Sequence, residues 1–247
     1  MHPIVSFDDV SLRYHSISGE TSAVSHLHLT VEPGEFISIV GPSGCGKSSI
    51  LSMLAGLIPP SEGNITVNGS MGYMLQKDYL LEWRTIRSNA LLGLEIQKKL
   101  SPETVAYVDT LLQQYGLADF QSHYPSQLSG GMRQRAALIR TLAIRPDLLL
   151  LDEPFSALDY QTRLSVSDEI GSIIRREKKT AILVTHDISE AISLSDRVVV
   201  LTKRPAHVKT IHTIDLSLEQ YSPMKARESS KFKEYFNLIW KELDVHV

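Results

Sequence analysis

The fold of this chain is decided by one short stretch, Gly41-Pro-Ser-Gly-Cys-Gly-Lys-Ser48. It matches the phosphate-binding loop pattern of glycine, four residues, Gly-Lys and then Ser or Thr. The apolar run Glu35–Val40 before it predicts a buried strand, and Ser49–Ala55 after it predicts a helix. Backbone N–H groups of such a loop surround a phosphate, and the helix N-terminus adds the positive end of a dipole. Lys47 is expected to reach the β- and γ-phosphates of a nucleotide, and the Ser48 hydroxyl to bind Mg²⁺.

Composition narrows the class of protein. The chain has 247 residues, of which 43% are hydrophobic and 21% charged, as in globular proteins built on one large domain. No apolar run approaches the roughly 18–20 residues that span a bilayer. The first residues, Met1–Asp8, lack the basic and apolar regions of a signal peptide. The only cysteine is Cys45, which excludes an internal disulfide and fits a reducing compartment.

The net charge of the chain indicates whether a nucleic acid is to be expected as a partner. The formal net charge is −3 and the pI about 6.3. Proteins that bind nucleic acid usually carry a strong basic excess, so no nucleic-acid partner is expected.

Strand-like segments flank the loop on both sides. Before it, Val5–Tyr14 and His26–Val31 alternate apolar and polar residues, which is typical of half-buried strands. Asn64–Gly69 and Ser70–Gln76 predict two more short strands. Further along lie three nearly continuous apolar runs, as in parallel strands covered on both faces: Leu148–Asp152, Ala181–His186 and Arg197–Leu201.

A helical segment, residues 82–145, interrupts this α/β pattern. Within it, Ser101-Pro102 forms a cap and first-turn pair, and Gly116 ends the helix. Residues 1–220 are therefore expected to form one domain with an inserted helical subdomain. Residues 221–247 carry apolar side chains at helical spacing, which predicts an amphipathic helix packed on the core, with docking to a partner as the alternative.

Two carboxylates end one of the apolar runs. In Leu148-Leu-Leu-Leu-Asp-Glu-Pro154 the strand is expected to lie beside the strand of the phosphate loop. Asp152 would then help to hold Mg²⁺, and Glu153 could take a proton from an attacking water.

Another segment, Leu128-Ser-Gly-Gly-Met-Arg-Gln-Arg135, lies in the helical part. The chain resembles the ATPase subunits of ATP-binding cassette (ABC) transporters over nearly its whole length. The resemblance rests on motifs that follow one another in the order of that family: the phosphate loop 41–48, Gln76, Leu128–Met132, Asp152-Glu153, Ser156–Asp159 and His186. The resemblance implies an α/β fold: a RecA-like phosphate-loop NTPase core with an antiparallel β subdomain and an inserted α-helical subdomain. It also implies ATP hydrolysis to ADP and phosphate, with ATP and Mg²⁺ as cofactors. Met132 departs from the glutamine that many members carry at this position.

Site residues follow from the same resemblance, position by position. Tyr14 sits where a ring stacks on adenine, although it could also be an ordinary strand aromatic; the residues expected to contact ATP are Tyr14, Gly41, Pro42, Ser43, Gly44, Cys45, Gly46, Lys47, Ser48, Ser49, Ser129, Gly130, Gly131 and Asp159. Those expected to bind Mg²⁺ are Ser48, Gln76 and Asp152. Those expected to act in hydrolysis are Lys47, Gln76, Glu153 and His186.

Partners are implied as well. A homodimer would bind ATP head to tail, each site pairing the phosphate loop of one chain with Ser129–Gly131 of the other. Separate membrane permease subunits would dock in the groove near Gln76, with Trp83 and Arg84 as candidate anchors; the alternative is that both pack inside the helical subdomain. The chain is then expected on the cytoplasmic face of the membrane, working indirectly with an extracytoplasmic solute-binding protein.

The segment Leu80–Thr85 looks like importers of nitrate, sulfonate, taurine or related organic solutes, but no residue identifies the solute. An ABC ATPase acting mechanically in the envelope, or on DNA or ribosomes, is the alternative function. Cys45 is expected near a helix N-terminus, which favours a reactive thiolate, unless the residue is simply small and buried.

Overall fold

Strands and helices follow one another along the computed structural model, which describes residues 2–16, 19–156, 158–218 and 221–243. The strands are β1 (Val5–Ser16), β2 (Gly19–Val31), β3 (Phe36–Val40), β4 (Glu62–Val67), β5 (Met71–Met74), β6 (Leu148–Asp152), β7 (Thr180–Val184), β8 (Arg197–Leu201) and β9 (Val208–Thr213). The helices are α1 (Lys47–Leu54), α2 (Ile86–Ile96), α3 (Pro102–Gln114), α4 (Gly130–Ala143), α5 (Tyr160–Arg176), α6 (Ile188–Leu194), α7 (Pro223–Glu228) and α8 (Ser230–Glu242). No helix in these ranges is both long and apolar enough to cross a membrane.

The central sheet has six strands in the order β5-β6-β7-β3-β8-β9. All neighbours are parallel except β9, which runs antiparallel to β8. Every residue of β3, β6 and β7 is buried, which explains their unbroken apolar sequences. The carboxyl ends of these strands meet at one edge, where ligands of open α/β sheets bind.

One expectation about this sheet is wrong. The strand that ends in Asp152 does not lie beside the strand of the phosphate loop, because β7 is hydrogen-bonded between β6 and β3. Position in a sheet depends on the pairing of distant segments, which an apolar run does not encode. The insertion has a consequence for the site, since it places the end of β7, which His186 follows, between the ends of β3 and β6.

A second, antiparallel sheet has the order β2-β1-β4. Its buried side chains share one apolar cluster with α1 and with one face of the central sheet. The sheet therefore brings Tyr14, near the end of β1, to the side of the phosphate loop.

Helices α2, α3 and α4 make up the helical segment. Each begins at a hydrogen-bonded cap: the side chain of Thr85, Ser101 or Ser129 accepts a bond from a backbone N–H in the first turn. Ser101 and Thr104 form a reciprocal capping box. The buried faces of the three helices form a continuous apolar cluster with α5 and the other face of the central sheet.

Helices α7 and α8 pack with α6 against the part of the central sheet formed by β3 and β8. Ile239 of α8 is fully buried in a cluster with Ile188, Val198 and Val200. The end of the predicted terminal helix, residues 244–247, lies outside the described ranges. Strand β9 was not predicted, because its six residues are alternately half-buried and exposed and lack a strong apolar signal.

Candidate functional site

The phosphate loop lies between β3 and α1, as its sequence predicts. Gly46 has φ 130° and directly precedes the first residue of α1. A Cβ atom there would also lie 2.9 Å from the carbonyl oxygen of Ala23 on β2. Only glycine combines this backbone conformation with so close an approach, so the entry to α1 depends on it.

Lys47 begins α1, and its side chain is buried in the loop. Its Nζ atom donates hydrogen bonds to the carbonyl oxygens of Gly41, at 2.8 Å, and Pro42, at 3.1 Å. The ammonium group therefore lies inside the curve of the loop, where a bound phosphate would meet it.

Two oxygen ligands suited to Mg²⁺ lie together at the start of α1. The hydroxyl of Ser48 donates to Oδ1 of Asp152 at 3.2 Å, and the hydroxyl of Tyr73 donates to Oδ2 at 3.3 Å. Burial raises the pKa of Asp152, while the bonds from Ser48 and Tyr73 act in the opposite direction. Burial and the nearby Asp152 raise the pKa of Tyr73 to about 12. Hydroxyl and carboxylate oxygens fit Mg²⁺, which takes few protein ligands besides nucleotide phosphates.

A second group of side chains forms around Glu153. Its Oε2 atom accepts a hydrogen bond from Nε2 of Gln76 at 3.2 Å and lies 3.3 Å from Nδ1 of His186. Glu153 has φ 44°, a left-handed backbone conformation unusual for a non-glycine residue. Strained backbone of this kind clusters at functional sites. The carboxylate can accept a proton from a water bound at this edge, and the amide and imidazole can orient that water.

The structure also places Tyr14 at the loop. Its side chain is 44% exposed, and its hydroxyl shares a 3.0 Å hydrogen bond with the hydroxyl of Ser49 in α1. An exposed aromatic ring beside the phosphate site is a surface on which a base can stack.

Ser129, Gly130 and Gly131 stand at the start of α4. Ser129 caps the helix by accepting a bond from Met132 N at 3.3 Å. A Cβ atom on Gly131 would lie 2.9 Å from Thr162 Cγ2 in α5, so the glycine permits close packing of the two helices. Within the described ranges, no hydrogen bond or ion pair joins this segment to the phosphate loop of its own chain.

Asp159 caps α5, and its carboxylate accepts a 3.1 Å bond from Thr162 N, which lowers its pKa. Ala157, in the same predicted motif, lies outside the described residues.

The expectation of a reactive Cys45 thiolate is wrong. The residue is 1% exposed, and burial raises the pKa of its thiol despite the nearby Lys47. Cys45 precedes the helix, but its side chain points into the apolar cluster beneath the loop. It therefore contributes its backbone to the loop and its side chain to packing.

Two contacts at the site escape sequence reasoning. Tyr73 lies within a short strand and carries no motif. Arg204 donates to the Gly44 carbonyl oxygen from Nη2 at 2.7 Å and from Nε at 3.1 Å, and so braces the loop from the turn after β8. The contacts of Tyr73 and Arg204 both depend on pairings between strands that are distant in sequence. The only local signal is the proline after Arg204, which indicates a turn after β8.

Comparison with known proteins agrees with this geometry. A family model described as ABC transporter matches residues 24–156. An uncharacterized ABC transporter ATP-binding protein of Bacillus subtilis, YtlC, is 49% identical over 96% of this chain and 94% of the relative. The aliphatic sulfonates import ATP-binding protein SsuB of Bacillus licheniformis is 38% identical over 92% of this chain and 89% of its own length.

Among solved structures, the dimeric post-hydrolysis state of the ATP-binding cassette MJ0796, bound to ADP and Pi, superposes with a TM-score of 0.74 at 28% identity. The match covers 85% of this chain and 99% of that one. The α/β phosphate-loop fold, the antiparallel sheet and the helical insert are thus confirmed. Because the family model matches residues 24–156 and a relative is 49% identical over 96% of the chain, this protein belongs to the ABC transporter family as one of its ATP-hydrolysing cassettes.

Proposed function

We propose that the chain is the ATPase subunit of an importer, working at the cytoplasmic face of a membrane through separate permease subunits. The solute class we propose is organic sulfonates or closely related small organic solutes. The relative named for aliphatic sulfonate import supports this class, and the geometry of one surface loop supports the docking role.

That loop, residues 77–85, is the observation that carries the docking proposal. Trp83 is 75% exposed although it is the largest apolar side chain nearby. The loop beneath it is rigid, because the buried Asn89 side chain accepts a 2.7 Å bond from Leu81 N and donates at 3.1 Å to the carbonyl oxygens of Leu81, Arg84 and Thr85. An exposed tryptophan on fixed backbone is the kind of residue that anchors protein interfaces.

Arg84 behaves differently from Trp83. Its Nη1 atom is 2.6 Å from Oε2 of Glu95 in α2, and its side chain is half-buried. It therefore fits the alternative of packing on the helical segment, and the docking proposal rests on Trp83.

At the nucleotide, we propose that Tyr14 stacks on adenine while the loop and Lys47 hold the phosphates. Ser48, Asp152 and Gln76 would hold Mg²⁺, which when bound neutralises charge on the β- and γ-phosphate oxygens. Glu153 takes a proton from the attacking water, and Gln76 and His186 orient that water against the γ-phosphate.

The remaining ATP contacts are proposed to come from a second copy. Ser129–Gly131 and Asp159 of one chain would complete the site of its partner. In support, Ser129 and Asp159 are exposed, and within the described ranges Ser129–Gly131 makes no hydrogen bond or ion pair with its own phosphate loop. The dimeric state of the MJ0796 cassette supports this arrangement.

The docking proposal is tested with the two tryptophans of the chain, Trp83 and Trp240, both of them exposed. The tagged protein is expressed in its own organism, and polytopic membrane proteins that co-purify are identified by mass spectrometry. Trp83→Ala should lose the membrane partner and retain basal ATPase activity, whereas the control Trp240→Ala should keep both. Recovery of ribosomes or DNA, or an unchanged membrane partner with Trp83→Ala, would contradict the proposal.

The solute is tested by growth. Deletion of the gene should abolish growth on alkanesulfonates as the sole sulfur source and leave growth on sulfate intact. Unchanged growth on both would exclude the sulfonate class while leaving the ATPase assignment untouched.

A further inference from the structure

The segment that carries His186 is held from beneath by a buried acid. Glu190 lies in the first turn of α6, is 3% exposed, and accepts a 2.7 Å hydrogen bond from the hydroxyl of Thr185. The same hydroxyl oxygen accepts a 3.0 Å bond from the backbone N–H of Asp187. The residues on both sides of His186 are therefore tied to one buried oxygen network, although the imidazole itself is not part of it.

A cation from another helix faces this network. Arg163 of α5 has Nη1 3.8 Å from Oδ2 of Asp187 and Nε 4.0 Å from Oε1 of Glu190. Its Nη2 atom donates to the carbonyl oxygen of Leu158 at 3.0 Å, immediately before Asp159. The groups around Glu190 are thus Thr185, His186, Asp187 and Arg163.

Burial of this carboxylate is unfavourable for the fold. Loss of solvation raises the pKa of Glu190 to about 7, against the opposing effects of Thr185 and Arg163. Replacing a whole buried ion pair with apolar groups of similar volume is often neutral or stabilising. Packing alone therefore does not require an ionisable group here. The carboxylate both accepts from the Thr185 hydroxyl and faces the Arg163 guanidinium, and a neutral amide keeps an acceptor but loses the charge that faces Arg163.

We propose that Glu190 is a positioning residue for ATP hydrolysis: through Thr185 it holds His186 toward Glu153, and Arg163 supplies the charge that keeps its carboxylate in place. The proposal rests on the hydrolytic activity of the cassette and is independent of the solute and of the permease.

The test compares Glu190→Gln with a matched control. Glu35→Gln also removes a largely buried carboxylate, which lies 2.9 Å from Arg197. Glu35 precedes β3 and is therefore at the opposite end of that strand from the phosphate loop. In Glu190→Gln, we expect kcat to fall about tenfold, as for one disturbed buried hydrogen bond to a charged group. KM and the dissociation constant for ATP should stay within about twofold. Glu35→Gln should retain normal kcat.

A double-mutant cycle separates positioning from general damage. If Glu190 acts through His186, Glu190→Gln should have no further effect on single-turnover hydrolysis in the His186→Ala background. Thr185→Val, which removes the connecting hydroxyl with little change in volume, should reproduce the loss of kcat. The pH–rate profile of the wild type should contain an ionisation near pH 7, and the profile of Glu190→Gln should lack it.

Several results would overturn the proposal. Wild-type kcat in Glu190→Gln would do so, as would an equal loss in the presence and absence of His186, because the residue would then act on the fold. A loss in Glu35→Gln as large as that in Glu190→Gln would also overturn it, since any buried acid would then have the same effect.

Discussion

His186 Nδ1 lies 3.3 Å from Glu153 Oε2, so an imidazole after one strand and a carboxylate after its neighbour face the same point. The two groups lie at the edge of the sheet formed by the carboxyl ends of its strands, where the phosphate loop begins. The approach depends on the direct pairing of β7 with β6, because that pairing places the residues that follow the two strands, His186 and Glu153, side by side.

Glu153→Gln is expected to abolish turnover and keep ATP bound. The amide preserves shape but cannot accept the proton of the water, and general-base catalysis is typically worth about 10²–10⁴-fold. Rapid-quench hydrolysis and gel filtration with ATP should show a stable ATP-bound dimer. Hydrolysis at the normal rate would show that Glu153 is not the base.

Lys47→Ala is expected to weaken nucleotide binding as well as hydrolysis. Hydrogen bonds to charged groups are worth about 1.5–3 kcal/mol, or roughly 10–100-fold in affinity. The substitution also removes the bonds to the carbonyl oxygens of Gly41 and Pro42, so the loop loses an internal brace. Calorimetry with ADP and ATP measures the effect, and unchanged affinity for both would contradict the role given to Lys47.

Ser129→Arg should inactivate the enzyme without weakening ATP binding to the monomer, since Ser129 is proposed to act on the site of the partner chain. Mixed with Lys47→Ala, it should recover part of the activity, because one site of a mixed dimer then carries neither change. If mixed dimers form, as mass photometry can establish, and no activity returns, the composite sites are disproved.

Cys45 should react slowly with maleimides at neutral pH in the folded chain. Its side chain is buried, and its raised thiol pKa keeps the less reactive protonated form. Labelling followed by mass spectrometry should become fast only in denaturant. Fast labelling of the native chain that Mg-ATP suppresses would mean that the thiol faces the nucleotide after all.

Glu190→Gln should stabilise the protein more at pH 8 than at pH 5. The folded-state pKa of about 7 lies above the ordinary 4.5, so the favourable contribution of the neutral acid is complete below about pH 4.5 and is lost as the pH rises through 7. The difference of about 2.5 pKa units corresponds to about 3 kcal/mol. Urea unfolding of both proteins at both pH values measures it. A stability difference independent of pH would show that the carboxyl group does not titrate in this range.

Local chemistry accounts for what the sequence determined by itself. The loop Gly41–Ser48 was predictable because its glycines, lysine and serine act within a few residues of one another. The cap at Ser101, and the strand that ends in Asp152 and is followed by Glu153, were predictable from short-range rules of the same kind. The family motifs were recognisable for the same reason, and with them the α/β class and the helical insert.

Only the tertiary structure decided which distant groups meet and how much water reaches them. The pairing of β6 with β5 on one side and with β7 on the other is long-range, and it brings Gln76 and His186 to Glu153. Burial turned Cys45 from an expected reactive thiol into a packed one, and made Glu190, which carries no motif, an acid that titrates near neutrality. Solvation depends on the whole packed chain, so no local pattern encodes it.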